Sequence, residues 1–238
     1  MRRPGLVAVA AVILLGSGLR GQSAADPIGM QWPQPGGPGT PVHLTYSYSN
    51  LLNGAFLMLT PAELRAATEE GLRLWATYAP IHFSERPDSG PLPGDEPYPA
   101  ANHPQIRIGH HIMTDPGRGF FPGESGLAGD IHLATGAPWT IGEGGPWDYL
   151  EVIVHESGHA LGLGHELARA AMMNPTFSGR YAGLGTAYLF AADIEAIQSV
   201  YGAGTGSVAP IPEPATLLLA AAGLTGAALR FHRRSRRS

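Results

Sequence analysis

Alternating apolar and polar residues predict strands in the first half of the chain, on either side of one long helix. His43–Tyr48 alternates and is rich in β-prone residues, so we predict a strand there. Residues 60–63 read Thr-Pro-Ala-Glu, which is typical of a helix start, and apolar residues then keep helical spacing as far as Pro80. Further strands are predicted over 81–86, 105–111 and 129–135.

The second half of the chain predicts two more helices. Asp148 is placed to cap a helix that runs to Leu163 and ends at Gly164, and Phe190–Tyr201 has amphipathic spacing. Proline- and glycine-rich stretches predict loops over 87–104 and 112–128. Strands that alternate with helices, followed by helices alone, indicate a small α/β domain.

Both ends of the chain have the composition of targeting segments. Residues 1–25 are typical of a signal peptide, because two arginines precede an apolar stretch and Ser23-Ala24-Ala25 offers a cleavage site. An N-terminal membrane anchor is the alternative, although the apolar stretch is short for one. At the other end an apolar run over 215–229 is followed by five arginines, which would stay on the cytoplasmic side. This arrangement places the middle of the chain outside the cytoplasm.

The part of the chain between these ends is acidic and has no cysteine. Eight of the 15 arginines lie in the end segments, and lysine is absent, so seven basic residues face 19 acidic ones over 26–229, a net charge of −12. Such a surface disfavours nucleic acid and suits divalent cations. Without cysteine, no disulfide supports the fold and no thiolate binds metal.

Residues 155–159 (His-Glu-Ser-Gly-His) and His165 carry the candidate chemistry. On a helix, His155 and His159 share a face, so both imidazoles can reach one metal ion, and Glu156 is placed beside that ion. His165 cannot lie on the same straight helix, and Gly162 permits the backbone angles that a turn requires. Three neutral histidines leave one position open for water, as in catalytic zinc sites. The alternative is a set of core or surface histidines without metal.

This motif resembles the metzincin pattern of two histidines with a glutamate, a glycine, a third histidine and a methionine turn. Among metzincins, the chain most resembles the matrixins, the matrix-metalloproteinase-like peptidases, in a bacterial form, over residues 42–202. The resemblance implies an α/β (α+β) metzincin-like domain with a small twisted mixed sheet, an active-site helix and a C-terminal helix. It places Met173 beneath the zinc and Pro175 and Phe177 in the substrate pocket. Core filling is the alternative for Met173.

The resemblance also has departures. Glu166 follows the third histidine where animal matrixins commonly have serine, and Phe177 stands in place of a tyrosine. Because the chain has no cysteine, latency through a thiolate on zinc is excluded.

A second metal site is the least complete part of the resemblance. Matrixins typically carry structural zinc and calcium before the active-site helix, and four candidate ligands fall there: His111, Asp115, Asp130 and His132. Arg118 stands where another zinc-binding histidine is expected, and a guanidinium cannot ligate zinc. Ala134 and Ala137 stand where calcium-binding carboxylates are expected. We therefore predict one tightly bound zinc per chain, with the second site empty or weak and Ca²⁺ as the other candidate ion.

The C-terminal segment resembles a PEP-CTERM sorting signal, which bacterial exosortase systems process. Pro212-Glu213-Pro214, the apolar run and the arginine cluster occur in the expected order, and an ordinary tail anchor is the alternative. The predicted organisation is a signal peptide over 1–25, an extended lead-in over 26–41, a peptidase domain over 42–202, a linker over 203–211 and a sorting segment over 212–238. We expect export to the cell envelope or beyond, with the C-terminal segment in the membrane before processing.

These patterns predict a secreted zinc-dependent endopeptidase in which Glu156 is the general base for a zinc-activated water. Its partners would be a peptide or protein substrate and an exosortase-type processing enzyme, and we expect a monomer that binds no nucleic acid. One alternative is a non-catalytic zinc-binding protein of an extracellular polysaccharide matrix. Another is a zinc hydrolase with a different substrate. Glu156 argues against the first alternative, since a purely structural site has no use for it.

Overall fold

The computed structural model of the protein describes residues 30–56, 58–88, 92, 94, 103–123 and 125–211. The predicted signal peptide and sorting segment lie outside these residues. The strands of the described part are β1 Val42–Ser47, β2 Ile81–Glu85, β3 Ile106–His111, β4 Gly117–Gly119, β5 Ile131–Ala134, β6 Trp139–Thr140, β7 Trp147–Asp148 and β8 Ser207–Ala209. Its helices are α1 Pro61–Tyr78, α2 Tyr149–Ala160 and α3 Ala191–Tyr201.

One sheet of six strands has the order β4-β5-β3-β1-β2-β8. Its pairs are parallel except for β4, which runs antiparallel to β5. The short strands β6 and β7 form a separate pair. This mixed sheet, packed with helices α1 and α2 and a C-terminal helix, confirms the predicted fold class. The two edges of the sheet, β4 and β8, are therefore far apart.

Helix α1 begins where the sequence predicts and packs along α2. The Thr60 hydroxyl accepts from the Glu63 N–H at 3.2 Å, and the Glu63 carboxylate accepts from the Thr60 N–H at 2.7 Å, which satisfies two free donors of the first turn. Gly71 allows close approach, since a β-carbon there would lie 3.3 Å from the Ile153 side chain. The fully buried Trp75 donates from its indole to the Val154 carbonyl at 2.9 Å.

Every residue of α2 is buried, so its polar side chains lie inside the molecule. The Asp148 carboxylate caps the helix by accepting from the Leu150 N–H at 3.0 Å, as predicted. The helix ends earlier than expected, at Ala160, because the backbone turns through Gly162 (φ +98°). A buried carboxylate or imidazole needs a hydrogen-bond partner or a metal, so the polar residues of α2 mark the functional region.

The structure also has strands in two segments that were predicted as a loop and a linker. Strand β4 lies within the predicted loop over 112–128, and β8 lies within the predicted linker over 203–211, where Gly206 donates to the Ala76 carbonyl at 2.6 Å. Each of these strands has three residues, which is too short to show a recognisable alternation of apolar and polar residues. The lead-in packs against the domain from Met30 onward. No helix of the described residues is long and apolar enough to cross a bilayer.

Candidate metal centre

Three histidines converge at the C-terminal end of α2. His155 and His159 lie one helical turn apart, and the turn at Gly162 brings His165 back to them. The Nε2 atom of His165 lies 3.3 Å from that of His155 and 3.1 Å from that of His159. Among the described residues, these three form the one group of three or more histidine and carboxylate side chains whose ligand atoms lie within 4.8 Å of one another.

Hydrogen bonds at the other ring nitrogens orient two of these imidazoles. Nδ1 of His155 lies 2.7 Å from the Met172 carbonyl oxygen, and Nδ1 of His159 lies 2.7 Å from that of Leu163. A carbonyl oxygen can only accept a hydrogen bond, so the Nδ1 atom of each ring carries the proton. Each Nε2 atom therefore presents a lone pair.

The histidines are also neutral, as metal ligands must be. Burial lowers the pKa of His155 to about 3 and that of His159 to about 4, and partial desolvation lowers the pKa of the more exposed His165. Neutral imidazoles with converging lone pairs fit a Zn²⁺ ion, which accepts three histidines and keeps a fourth position open.

Glu156 lies beside the histidine cluster and is held by the edge strand β4. Its carboxylate accepts from the Gly119 backbone N–H at 2.6 Å, and its side chain is only 4% exposed. Burial raises the pKa of this carboxyl to about 7, against the opposing effects of the Gly119 hydrogen bond and the Arg118 charge. A β-carbon at Gly117 would lie 2.9 Å from Cγ of Glu156, and one at Gly119 would overlap the backbone of α2. The two glycines therefore let β4 approach the carboxylate.

An open cleft of about 600 Å³ runs over these groups. The three histidines and Glu156 line it together with β4, Pro175 and Phe177. The Phe177 ring packs on His155 with the centroids 5.1 Å apart and on Trp147 at 6.0 Å. Pocket and metal centre are thus parts of one site.

Met173 lies directly under the histidine-bearing helix. A β-carbon on Gly158 would overlap its sulfur and lie 3.0 Å from its Cε. The turn that carries Met173 is held by Asp193 of α3, whose carboxylate accepts from the N–H groups of Met172 at 2.8 Å and Met173 at 3.1 Å. Asp193 also accepts from the Phe190 N–H at 3.0 Å. Sequence reasoning missed this anchor, because its two loop partners lie about 20 residues away along the chain.

Glu151 is a second anchor that the sequence did not reveal. Its fully buried carboxylate accepts from the N–H groups of Ser178 at 3.1 Å and Gly179 at 2.7 Å, and it pairs with Arg180. These contacts hold the segment after Phe177 against α2, and they thereby fix the position of the cleft wall that Phe177 forms. A glutamate among the apolar residues of the first half of α2 was the available signal.

Glu166 stands where animal matrixins commonly have serine, and it shapes the turn after the third histidine. Its buried carboxylate accepts from the Ala168 N–H at 2.7 Å, and its own N–H donates to the Met173 carbonyl at 3.0 Å. Glu166 therefore connects the histidine turn to the methionine turn.

The four candidate residues of the second metal site are only partly brought together. His111 Nε2 lies 3.2 Å from His132 Nδ1, and His132 Nε2 lies 3.7 Å from an Asp130 oxygen. Asp115 is 60% exposed and lies 3.4 Å from Arg118, which itself pairs in register with His132 across β4 and β5. Arg118 therefore occupies the strand position opposite His132.

A centre of three histidines beside a buried carboxylate, in an open cleft, is the arrangement that catalytic zinc sites use. The Matrixin family of peptidases (Peptidase M10) matches residues 38–202, so the chain belongs to the matrixins. A PEP-CTERM protein-sorting motif matches residues 210–234.

Animal matrix metalloproteinases are also similar to this chain. Matrix metalloproteinase-20 of Homo sapiens is 33% identical over 149 residues, which is 60% of this chain and 29% of that protein. Matrix metalloproteinase-C of Caenorhabditis elegans is 31% identical over 183 residues, 68% of this chain and 28% of that protein. The similarity thus covers less than a third of the length of either relative.

Proposed function

We propose that this protein is an exported zinc-dependent endopeptidase with Glu156 as its general base. The observation that carries the proposal is the convergence of three histidine Nε2 atoms beside the buried Glu156 carboxylate in an open cleft. Membership of the matrixin family supports the zinc-peptidase class. Glu156 supports catalysis over a structural role, because it lies next to the ligands without belonging to them.

In this mechanism a zinc ion held by His155, His159 and His165 would supply a Lewis acid that polarises the peptide carbonyl and acidifies a water molecule. Glu156 accepts a proton from the attacking water while the oxygen bonds to the carbonyl carbon. The same carboxyl then delivers that proton to the leaving amine as the C–N bond breaks. The Gly119 N–H keeps the carboxylate directed into the cleft during both transfers.

The substrate is an extended peptide that pairs with the edge strand β4. One side of β4 pairs with β5, and its other side borders the cleft. A peptide added there would form backbone hydrogen bonds and place one side chain against Pro175 and Phe177. The wall is apolar and aromatic, so an apolar side chain suits it best.

The sorting motif supports export and processing by an exosortase-type enzyme. It also favours the alternative function, a non-catalytic zinc-binding protein that the tail retains in an extracellular polysaccharide matrix. Both functions use the three histidines, and only the peptidase uses Glu156.

A casein or gelatin zymogram of the purified protein, with and without a chelator, tests the proposal. A clearing band that the chelator abolishes and added zinc restores supports the peptidase. Zinc binding without a band on either substrate, and without cleavage of a mixed peptide library, supports the matrix-binding alternative. Hydrolysis of a non-peptide ester alone would indicate a different hydrolase.

A further inference from the structure

The turn that delivers His165 to the cluster is covered by a segment outside the residues matched to the Matrixin family. That match begins at residue 38, whereas Met30 and Trp32 lie against the end of α2. A β-carbon on Gly162 would overlap the Met30 carbonyl oxygen, so the segment closes over the turn itself. The lead-in is therefore part of the structure around the metal centre.

Trp32 binds the last carbonyl of α2. Its indole N–H donates to the Ala160 oxygen at 2.9 Å, and the side chain is only 8% exposed. The ring lies against Gly129, where a β-carbon would be 2.6 Å from its Cζ2 atom. The last carbonyls of a helix have no partner within it, so this bond fixes a group that would otherwise need water.

Tyr201, the last residue of α3, binds the next carbonyl. Its hydroxyl donates to the Leu161 oxygen at 2.8 Å and accepts from the Trp32 backbone N–H at 3.2 Å. Gln34 adds a bond to the Tyr201 carbonyl at 3.1 Å, which ties the lead-in to α3. Two consecutive carbonyls of the turn are thus bound by the side chains of two residues, and the Trp32 backbone N–H links these residues by donating to the Tyr201 hydroxyl.

The position of the His165 ring depends on this turn more than the positions of the His155 and His159 rings do. His155 and His159 are buried on the helix and are anchored through Nδ1, whereas His165 is exposed and its ring has no backbone hydrogen bond among the described residues. Its position is set by the five residues between His159 and His165 along the chain. A change in the direction of the chain at Leu161 or Gly162 would therefore move His165 off the metal.

We infer that Trp32 and Tyr201 act as positioning residues, a Trp32–Tyr201 clamp that fixes the turn and aims His165 at the zinc. The inference rests on the zinc site of the proposed function, but not on peptide hydrolysis. The clamp makes a segment upstream of the family match a determinant of metal affinity.

Conservative substitutions in the purified protein test the clamp. Trp32→Phe removes the indole N–H and keeps an aromatic ring, and Tyr201→Phe removes only the hydroxyl. Trp139→Phe is the matched control, because its buried indole also donates to a backbone carbonyl, that of Ala134, at 2.9 Å, away from the turn. Zinc affinity is measured by competition with a chromogenic chelator, and thermal unfolding of the metal-free proteins is measured alongside.

We expect Trp32→Phe and Tyr201→Phe each to weaken zinc affinity about tenfold relative to Trp139→Phe, as changes around metal ligands commonly do. The metal-free proteins should unfold at similar temperatures. If both clamp variants bind zinc as tightly as the control, the inference is wrong. Wild-type protein that binds no zinc would overturn the metal site itself, whereas zinc binding without peptide hydrolysis would overturn the proposed function and leave the clamp standing.

Discussion

The sulfur of Met173 occupies the space that a side chain on Gly158 would need. Gly158 lies on α2 between the two histidines of that helix, so the methionine contacts the helix at the level of the metal centre. The same glycine faces Trp75, whose Cζ2 atom would lie 3.1 Å from a β-carbon there. Only a residue without a side chain fits between these two groups.

Gly158→Ala should therefore destabilise the protein, although alanine favours helix. Overpacking of this kind typically costs about 1–3 kcal/mol, more than the gain of about 1 kcal/mol in helix propensity. Denaturant unfolding would measure the loss. Combining the change with Met173→Ala should recover part of it, because the overlapping atoms are gone. Purely additive losses in the double variant would show that the two residues do not interact.

Glu156→Ala should abolish peptide hydrolysis while zinc stays bound, since the three ligands remain. Loss of a general base typically lowers the rate by about 10²-fold or more. Zymography and a zinc assay on the same preparation measure both quantities. Glu195→Ala, at an exposed position of α3, is the control and should keep full activity. Activity of Glu156→Ala within tenfold of wild type would contradict the proposed mechanism.

The sequence predicted the centre of the site because its ligands are close along the chain. His155, Glu156 and His159 follow helical spacing, and Gly162 explains how His165 joins them. Strand β4 was not predicted, since three residues with two glycines have no β-strand pattern. Its role comes from close approach to α2, which only the folded chain reveals.

Contacts between distant residues were the other part that the sequence could not provide. Trp32 is 128 residues from Ala160, and Asp193 is about 20 residues from the turn that it holds. Neither pair shares a periodic pattern or a motif. The lead-in was consequently predicted to lie outside the domain, whereas its described part packs against the ends of α2 and α3.

His165→Ala should both weaken zinc binding and reduce activity, because two histidines alone hold zinc less tightly than three. Metal content after dialysis and turnover of a fluorogenic peptide would report the two effects. His43→Ala, an exposed histidine on β1, is the matched control and should change neither. Unchanged metal content and turnover in His165→Ala would place the third ligand elsewhere.

Metal analysis of the dialysed protein should give one zinc per chain. His132, which contacts His111, has Arg118 opposite it on β4, and Asp115 lies 3.4 Å from that arginine. His159→Ala should remove the zinc, whereas His111→Ala should leave the content unchanged. Two zinc ions per chain that survive dialysis would show that the second site is complete.

Removing residues 212–238 should release soluble, active protein into the medium. The sorting motif matches residues 210–234, so the deletion removes nearly all of it. Cell fractionation of the producing bacterium would follow the protein. Replacing Pro212-Glu213-Pro214 by three alanines separates the hypotheses, because a sorting signal needs the motif and an ordinary tail anchor needs only the apolar run. Unchanged localisation after the full deletion would exclude both.

Strand β8 ends at Ala209, and the next residues lead straight into the sorting motif. Because β8 and β4 are opposite edges of a six-stranded sheet, five strand spacings of about 4.8 Å separate the chain's exit from the strand that borders the cleft, roughly 24 Å. A molecule held by its tail would thus be attached through the edge of the sheet opposite the one that borders the cleft, so the tether and a substrate would not compete for the same edge.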